Sequence, residues 1–177
     1  MATKPGERRL QILQTLAEML ETPKGEKITT AALAARLACS EAALYRHFAS
    51  KAQMFEGLIE FIEQSLFSVI NQITSEESQG FKQVELIIGL LLRFAQRNRG
   101  MTRVLIGDAL VNENERLQVR INGLLDKVEA ALKQALRISA TQENLKPDAD
   151  FGALANLLRC YADRKSTRLN SSHGKLS

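Results

Sequence analysis

The side chains best suited to chemistry with a partner lie in one short stretch, Glu41-Ala42-Ala43-Leu44-Tyr45-Arg46-His47-Phe48. At helical spacing Leu44 and Phe48 share an inner face, and Glu41, Ala42, Tyr45, Arg46 and His47 point outward. A helix of this size fits the major groove of duplex DNA, where its N-terminal side chains meet base edges. A second short helix, opened by Thr29 or Thr30 and running through Leu37, precedes it across a three-residue turn. Ala34 and Ala35 are small enough for the two to cross closely, and Leu33, Leu37, Leu44 and Phe48 can form a core with the helix before them. The pattern is a helix-turn-helix. A plain helical hairpin inside a bundle is the alternative, but it has no use for a Tyr-Arg-His face. Enzymatic chemistry has little support: Cys39 falls in the turn, Cys160 falls on an apolar helix, and the chain has two histidines. No nucleophile–base pair, phosphate loop or metal-ligand spacing appears, so neither catalysis nor a metal or other cofactor is expected.

The elements that must hold this stretch are all helical. An apolar fraction of 45% with a formal charge of +4 excludes a disordered chain, and ten glycines and three prolines exclude a fibrous one. Leu10, Leu13, Leu16, Ala17 and Leu20 form a first stripe, which the breakers Thr22-Pro23-Lys24-Gly25 should end. Ser40 caps the helix from Glu41 to His47, and Ser50 caps the next, with Gln53 at the reciprocal capping-box position. Phe55, Leu58, Ile59, Ile62, Leu66, Val69, Ile70 and Ile73 keep helical spacing beyond it. After a polar break from Ser75 to Gly80, a nearly all-apolar helix from Phe81 to Gln96 reads as enclosed in a bundle. A shorter helix covers Met101 to Val111. Leu117, Ile121, Leu124, Val128, Ala131 and Ala135 form a heptad-like seam, best explained as one buried bundle helix rather than a coiled coil. Asn144 to Pro147 links to a last helix marked by Phe151, Leu154, Leu157 and Leu158. The expected fold is all-α: a three-helix head joined to a longer bundle.

Charge is divided along the chain. Residues 1–51 carry eight Lys/Arg against five Asp/Glu, residues 52–162 twelve against fourteen, and residues 163–177 four against one. A basic head on a near-neutral body is compatible with nucleic acid binding. The start lacks the apolar run of a signal peptide, and the longest apolar stretch, Leu86 to Leu92, is far short of the ~20 residues of a membrane span. A cytoplasmic protein is expected. The segment from Asp163 to His173 follows abruptly on an apolar helix without a period of its own and reads as a translated sequencing adaptor. The expected organisation is therefore a DNA-binding head over 1–51, a regulatory, dimerisation and partner-binding body over 52–162, and a non-native tail over 163–177.

Leu44-Tyr45-Arg46-His47-Phe48 followed by Ser50-Lys51 resembles the end of the DNA-binding head of TetR-type regulators. Within that family, residues 28–31, 40–48, 58–63 and 117–122 are similar to the nucleoid occlusion factors, a resemblance that covers about 1–162. It implies a nucleoid-associated protein that binds palindromic sites in double-stranded chromosomal DNA. While bound, such a protein engages the division protein FtsZ and disrupts its polymers. Carried over position by position, Thr29, Thr30, Ser40, Glu41, Ala42, Ala43, Tyr45, Arg46, His47 and Lys51 face DNA. Thr29, Tyr45, His47 and Lys51 suit phosphate, while Ser40 to Ala43 and Arg46 suit base edges. Lys4, Arg8 and Arg9 could add backbone contacts. The resemblance places an FtsZ groove between two helices, at Phe61, Leu90, Arg93, Arg97 and Asn98, with Arg99 and Arg103 nearby. Phe61 sits about 120° off the Phe55–Ile62 stripe, at 100° per residue. Packing of Phe61 on a neighbouring helix is the alternative.

Two residues depart from the pattern: Ala38 replaces a turn glycine, and Ala49 replaces a proline before Ser-Lys. The resemblance also implies a homodimer built on the last two helices. It leaves dimerisation in question for a chain whose native sequence stops near Ala162, where the last dimerisation helix would be missing. No obligatory small-molecule ligand is implied. A ligand-responsive TetR-type repressor is the alternative function, and a helical adaptor that binds no DNA a more distant one. Thr29→Ala or Tyr45→Ala is expected to abolish retardation of a palindromic duplex with the fold intact by circular dichroism; unchanged affinity in either overturns the assignment.

Overall fold

A computed structural model describes residues 5–21, 28–111, 113–143 and 150–172. It contains α1 (Pro5–Met19), α2 (Thr30–Arg36), α3 (Glu41–Tyr45), α4 (Lys51–Glu76), α5 (Gly80–Arg97), α6 (Arg99–Leu105), a 3-10 turn (Asp108–Leu110), α7 (Glu115–Gln142) and α8 (Phe151–Ser172). Among the described residues there is no strand, as the absence of alternation predicts. Nor is any helix there long and apolar enough to cross a membrane. The expected breakers at 22–25, the linker at 144–147, Lys4 and the last five residues lie outside the described residues.

α2, α3 and α4 each start on a predicted cap, with Thr29 rather than Thr30 taking the first. The Thr29 hydroxyl accepts from the Ala32 N–H at 3.1 Å, and the Ser40 hydroxyl accepts from the Ala43 N–H at 3.2 Å. The Ser50 hydroxyl accepts from the Gln53 N–H at 3.1 Å. The reciprocal bond of that box falls one residue early: Ala49 N–H donates to Gln53 Oε1 at 2.8 Å. A proline at 49 has no N–H to give, so the alanine adds a bond the usual residue cannot make.

The turn between α2 and α3 closes as a Schellman cap. Cys39 N–H donates to the Ala34 carbonyl at 3.0 Å and Ala38 N–H to the Ala35 carbonyl at 3.1 Å. The motif needs a left-handed residue, and Ala38 takes that conformation with φ 49°. Its Cβ makes this region unfavourable by about 1 kcal/mol.

One apolar core runs without a break from Ile12 and Leu16 through Leu33, Leu44 and Phe48 to Phe55, Leu58, Ile62, Leu66, Ile87, Leu117, Leu124 and Leu132. The first turns of α4 serve the head and the remainder serves the body. The expected boundary at 51/52 is therefore a change of neighbours along one helix and not a gap in packing. Head and body also meet at Gly100, where an added methyl would lie 1.8 Å from the Ala17 carbonyl oxygen. Arg103 donates to the Leu20 carbonyl at 2.9 Å and to Asp108 at 2.6 Å.

Several faces differ from the expected ones. On α1 the buried stripe is Ile12, Leu13, Leu16, Ala17 and Leu20, and Leu10 is exposed. α3 ends at Tyr45, two residues before the expected His47. On α4 Val69 is exposed and Ile73 half-buried, because no helix among the described residues covers the distal outer side. α5 is not enclosed: Val84, Ile87 and Ala95 are buried, but Ile88, Leu90, Leu91, Leu92 and Phe94 are half-buried and Phe81 is 66% exposed. Its neighbours α4, α7 and α8 cover one side only, so its all-round apolarity exceeds what packing within one chain uses.

The helix expected from Met101 to Val111 breaks at left-handed Gly107, φ 80°, into α6 and the 3-10 turn. In the seam of α7, Leu132 is buried and Ala131 half-buried. On α8 the buried residues are Ala155 and Ala162, whereas Leu154, Leu157 and Tyr161 are exposed. α8 also continues ten residues past Ala162, although the sequence there has no apolar period. No glycine or proline interrupts 163–172, and Arg159 bonds both Glu129 at 3.0 Å and Asp163 at 3.3 Å. Burial pushes the Asp163 carboxyl up, against the opposing pull of the Arg159 guanidinium. Ala38→Gly is expected to raise stability by about 1 kcal/mol, checked by urea unfolding with an unchanged m-value.

Candidate nucleic-acid interface

α2 and α3 cross so that their outer polar residues form one connected surface. The Thr30 hydroxyl donates to Glu41 Oε2 at 2.5 Å, and the Tyr45 hydroxyl donates to Thr30 Oγ1 at 3.4 Å. Three residues that the resemblance places at the DNA face thus form one chain of hydrogen bonds across the two helices. It holds the Glu41 carboxylate at the first position of α3 and orients its remaining lone pairs outward, where an exocyclic amine of a base could donate to them. Tyr45 is 46% exposed.

Thr29 and Ser40 use their hydroxyl oxygens as cap acceptors and keep their O–H protons, which can donate to a phosphate oxygen. Ala42 is exposed and Ala43 half-buried, both small enough for close approach to a groove floor. Arg46 is exposed and makes no ion pair among the described residues. It remains available to a base edge or a phosphate.

His47 is half-buried, and its carbonyl accepts from Arg9 at 2.9 Å. The same guanidinium lies 4.1 Å from the centroid of the Phe48 ring. Arg9 is therefore tied to the recognition element rather than lying on a loose arm. Arg8 bonds Gln11 at 2.7 Å. Lys51 is committed as well: its ammonium pairs with Glu113 and sits 5.7 Å from the Phe55 ring centroid. Glu113 is 62 residues away along the chain. No local sequence signal marks it, because only the fold brings the segment before α7 to the start of α4.

Thr29 has a dual position, which refines the expectation for its replacement. Removing the cap costs about 1 kcal/mol of stability as well as any phosphate contact. Thr29→Gly loses the hydroxyl at a cost to the helix start of only roughly a few tenths of a kcal/mol and so separates the two effects.

The second candidate surface lies where α4 and α5 run antiparallel. Phe61 is half-buried and packs on the edge of the core, so it does not stand clear of the helix pair. Leu90 is half-buried; Arg93 and Arg97 are exposed. The Arg93 guanidinium folds back over Gly89, with Nη1 3.1 Å from where a Cβ would sit, a contact that sequence reading missed. Asn98 is structural in part. Its Nδ2 donates to the Phe94 carbonyl at 3.1 Å, and its own carbonyl accepts from the Thr102 hydroxyl at 2.8 Å, joining α5 to α6. Arg103, tied to Leu20 and Asp108, is not part of this surface. Arg93, Arg97 and Arg99 form no ion pair among the described residues. They leave an uncompensated basic cluster at the C-terminal end of α5.

This arrangement defines a TetR-type regulator, a class whose members bind DNA as dimers. Residues 24–58 match the family described as bacterial regulatory proteins, tetR family, and residues 78–176 match the tetracyclin repressor-like C-terminal domain of SlmA-like proteins. A TetR transcription regulator from Haloarcula marismortui superposes with a TM-score of 0.77 at 18% identity, over 92% of this chain and 86% of that one. The fatty acid degradation regulator FadR from Bacillus halodurans gives 0.77 at 13%, over 99% and 90%. These two show the fold.

The sequence is more specific. It is 52% identical over 162 residues to the nucleoid occlusion factor SlmA of Alteromonas mediterranea, covering 92% of this chain and 83% of that protein. The Shewanella baltica nucleoid occlusion factor SlmA is 52% identical over 177 residues, 99% of this chain and 90% of that protein. The chain belongs to the SlmA family of nucleoid occlusion factors.

Thr30→Val removes both hydroxyl bonds and leaves the Glu41 carboxylate bare beside incoming phosphates. Duplex affinity is expected to fall by roughly tenfold in fluorescence anisotropy, with partial recovery in Thr30→Val/Glu41→Gln.

Proposed function

We propose that this chain is a nucleoid occlusion factor that docks α3 in the major groove of palindromic chromosomal sites and, so bound, engages FtsZ and disrupts its polymers. Identity above 50% to SlmA proteins across nearly the whole chain is the observation that carries this reading. The connected polar face of α2 and α3 supports the DNA arm, with Thr29, Tyr45 and His47 on phosphates and Glu41, Ala42 and Arg46 over base edges. The half-covered apolar side of α5, Phe61 and the unpaired Arg93 and Arg97 support the FtsZ arm. Together they present an apolar seat beside positive charge, suited to a short peptide that is both acidic and apolar.

A homodimer supplies the two half-sites. Leu154, Leu157 and Tyr161 stand at i, i+3 and i+7 on the open side of α8, a stripe that a second copy could bury. The ligand-released repressor requires an interior site. The cavity bounded by Leu66, Leu91, Leu105, Leu124, Leu125, Val128, Arg159, Ala162 and Asp163 has a volume of about 10 Å³. That one cavity has room for about one water and not for a metabolite.

The test is sedimentation of FtsZ polymers with the protein, with and without palindromic duplex. Polymer loss is expected with duplex and not without it; loss of equal extent in both arms overturns the DNA-activated reading. Phe61→Ala is expected to keep duplex affinity and a melting temperature within a few degrees of the parent, since one half-buried ring is removed. It is also expected to lose polymer disruption, and disruption at the parental dose overturns the FtsZ assignment.

A further inference from the structure

Lys51 opens α4 directly after the Ser50 cap, four residues beyond His47. Its side chain is 26% exposed, its ammonium lies 5.7 Å from the Phe55 ring centroid and is ion-paired with Glu113, whose side chain is 19% exposed. Glu113 belongs to the segment between the 3-10 turn and Asn114, the residue that caps α7. The pair is more sheltered than the ion pairs Arg120 to Glu63 and Arg116 to Glu56, which also join segments distant in sequence. Water screens it correspondingly less.

We propose that Glu113 is a positioning residue for DNA binding, competing with a DNA phosphate for the Lys51 ammonium. This inference rests on the reading of Lys51 as a phosphate contact. The Glu113 carboxylate neutralises the ammonium and repels an approaching phosphate, so the pull of Lys51 on a phosphate is weakest while the pair is closed. A phosphate therefore gains Lys51 as Glu113 gives it up.

The exchange ties occupancy of the head to the segment between α6 and α7. Coupling of this kind is reciprocal: whatever draws Glu113 away from Lys51 tightens DNA binding, and DNA binding releases Glu113. α6, which precedes that segment, is bonded to Asn98 at the end of α5 through Thr102.

The test is a double-mutant cycle read by fluorescence anisotropy on a palindromic duplex, using the full chain. Glu113→Gln is expected to tighten binding by about fivefold and to have no effect in a Lys51→Ala background. Glu113→Asp, which keeps the charge, is expected to bind as the parent does. Glu115→Gln, an exposed charge two residues away, reports the effect of simply removing negative charge and is expected to change neither background. A purely structural role for Glu113 would weaken binding along with stability, not tighten it. Should Glu113→Gln destabilise the fold, the same cycle is read at a lower temperature at which circular dichroism shows every variant folded.

Unchanged or weakened binding in Glu113→Gln overturns the proposal, as does equal tightening with and without Lys51. If Lys51→Ala binds as the parent does, Lys51 is no phosphate contact and the proposal falls with it. A parent chain that binds no duplex overturns the proposed function itself, an outcome distinct from the other three.

Discussion

The structure depends on the burial of one side of α4 along most of its length. Met54, Phe55, Leu58 and Ile59 close the core beneath the helix-turn-helix, and Ile62, Leu66 and Ile70 close the core of the bundle. Burying such side chains contributes roughly 1.5–3 kcal/mol each, so this one helix couples the stability of the head to that of the body. It also makes the distance between the two candidate surfaces a property of a rigid rod. The Ser50 cap sets where that rod begins, and Lys51 and Phe61 fall at fixed positions along it.

A division of labour follows among the polar residues. Those that hold the architecture are satisfied internally: Ser50 with Gln53, Asn98 with Phe94 and Thr102, Arg103 with Leu20 and Asp108. Arg46, Arg93, Arg97 and Arg99, which carry no ion pair among the described residues, cluster where a partner is proposed. Isolated exposed charges cost little, so their lack of partners is no burden to the fold. The same residues supply the field that an anionic partner meets first. Thr30, Glu41 and Tyr45 stand between the two groups, bonded to one another and still exposed.

Ala38 shows how a local cost is carried by its surroundings. Its left-handed backbone is imposed by two hydrogen bonds to Ala34 and Ala35 and by the burial of Leu37 and Leu44 on either side of the turn. These outweigh about 1 kcal/mol of unfavourable backbone conformation. The turn angle sets the crossing of α2 and α3, and that crossing brings Thr30 within reach of Glu41.

The sequence by itself determined the helical class, the caps at Ser40 and Ser50, a cap at Thr29 or Thr30, the strained turn residue and the exposure of Glu41, Ala42, Tyr45 and Arg46, while His47 is half-buried. Each is an effect of residues within about four positions, where hydroxyl reach, backbone sterics and the 3.6-residue period act without the remainder of the chain. Tertiary structure alone decided that Ile12 and not Leu10 is buried, that α5 is covered on one side only, and that Leu154 and Leu157 face outward. In a helix rich in apolar residues the pattern does not say which of several stripes the neighbours will cover. It decided also that Lys51 meets Glu113, Arg9 meets His47 and Arg103 meets Leu20, because such pairs join segments tens of residues apart once packing has placed them.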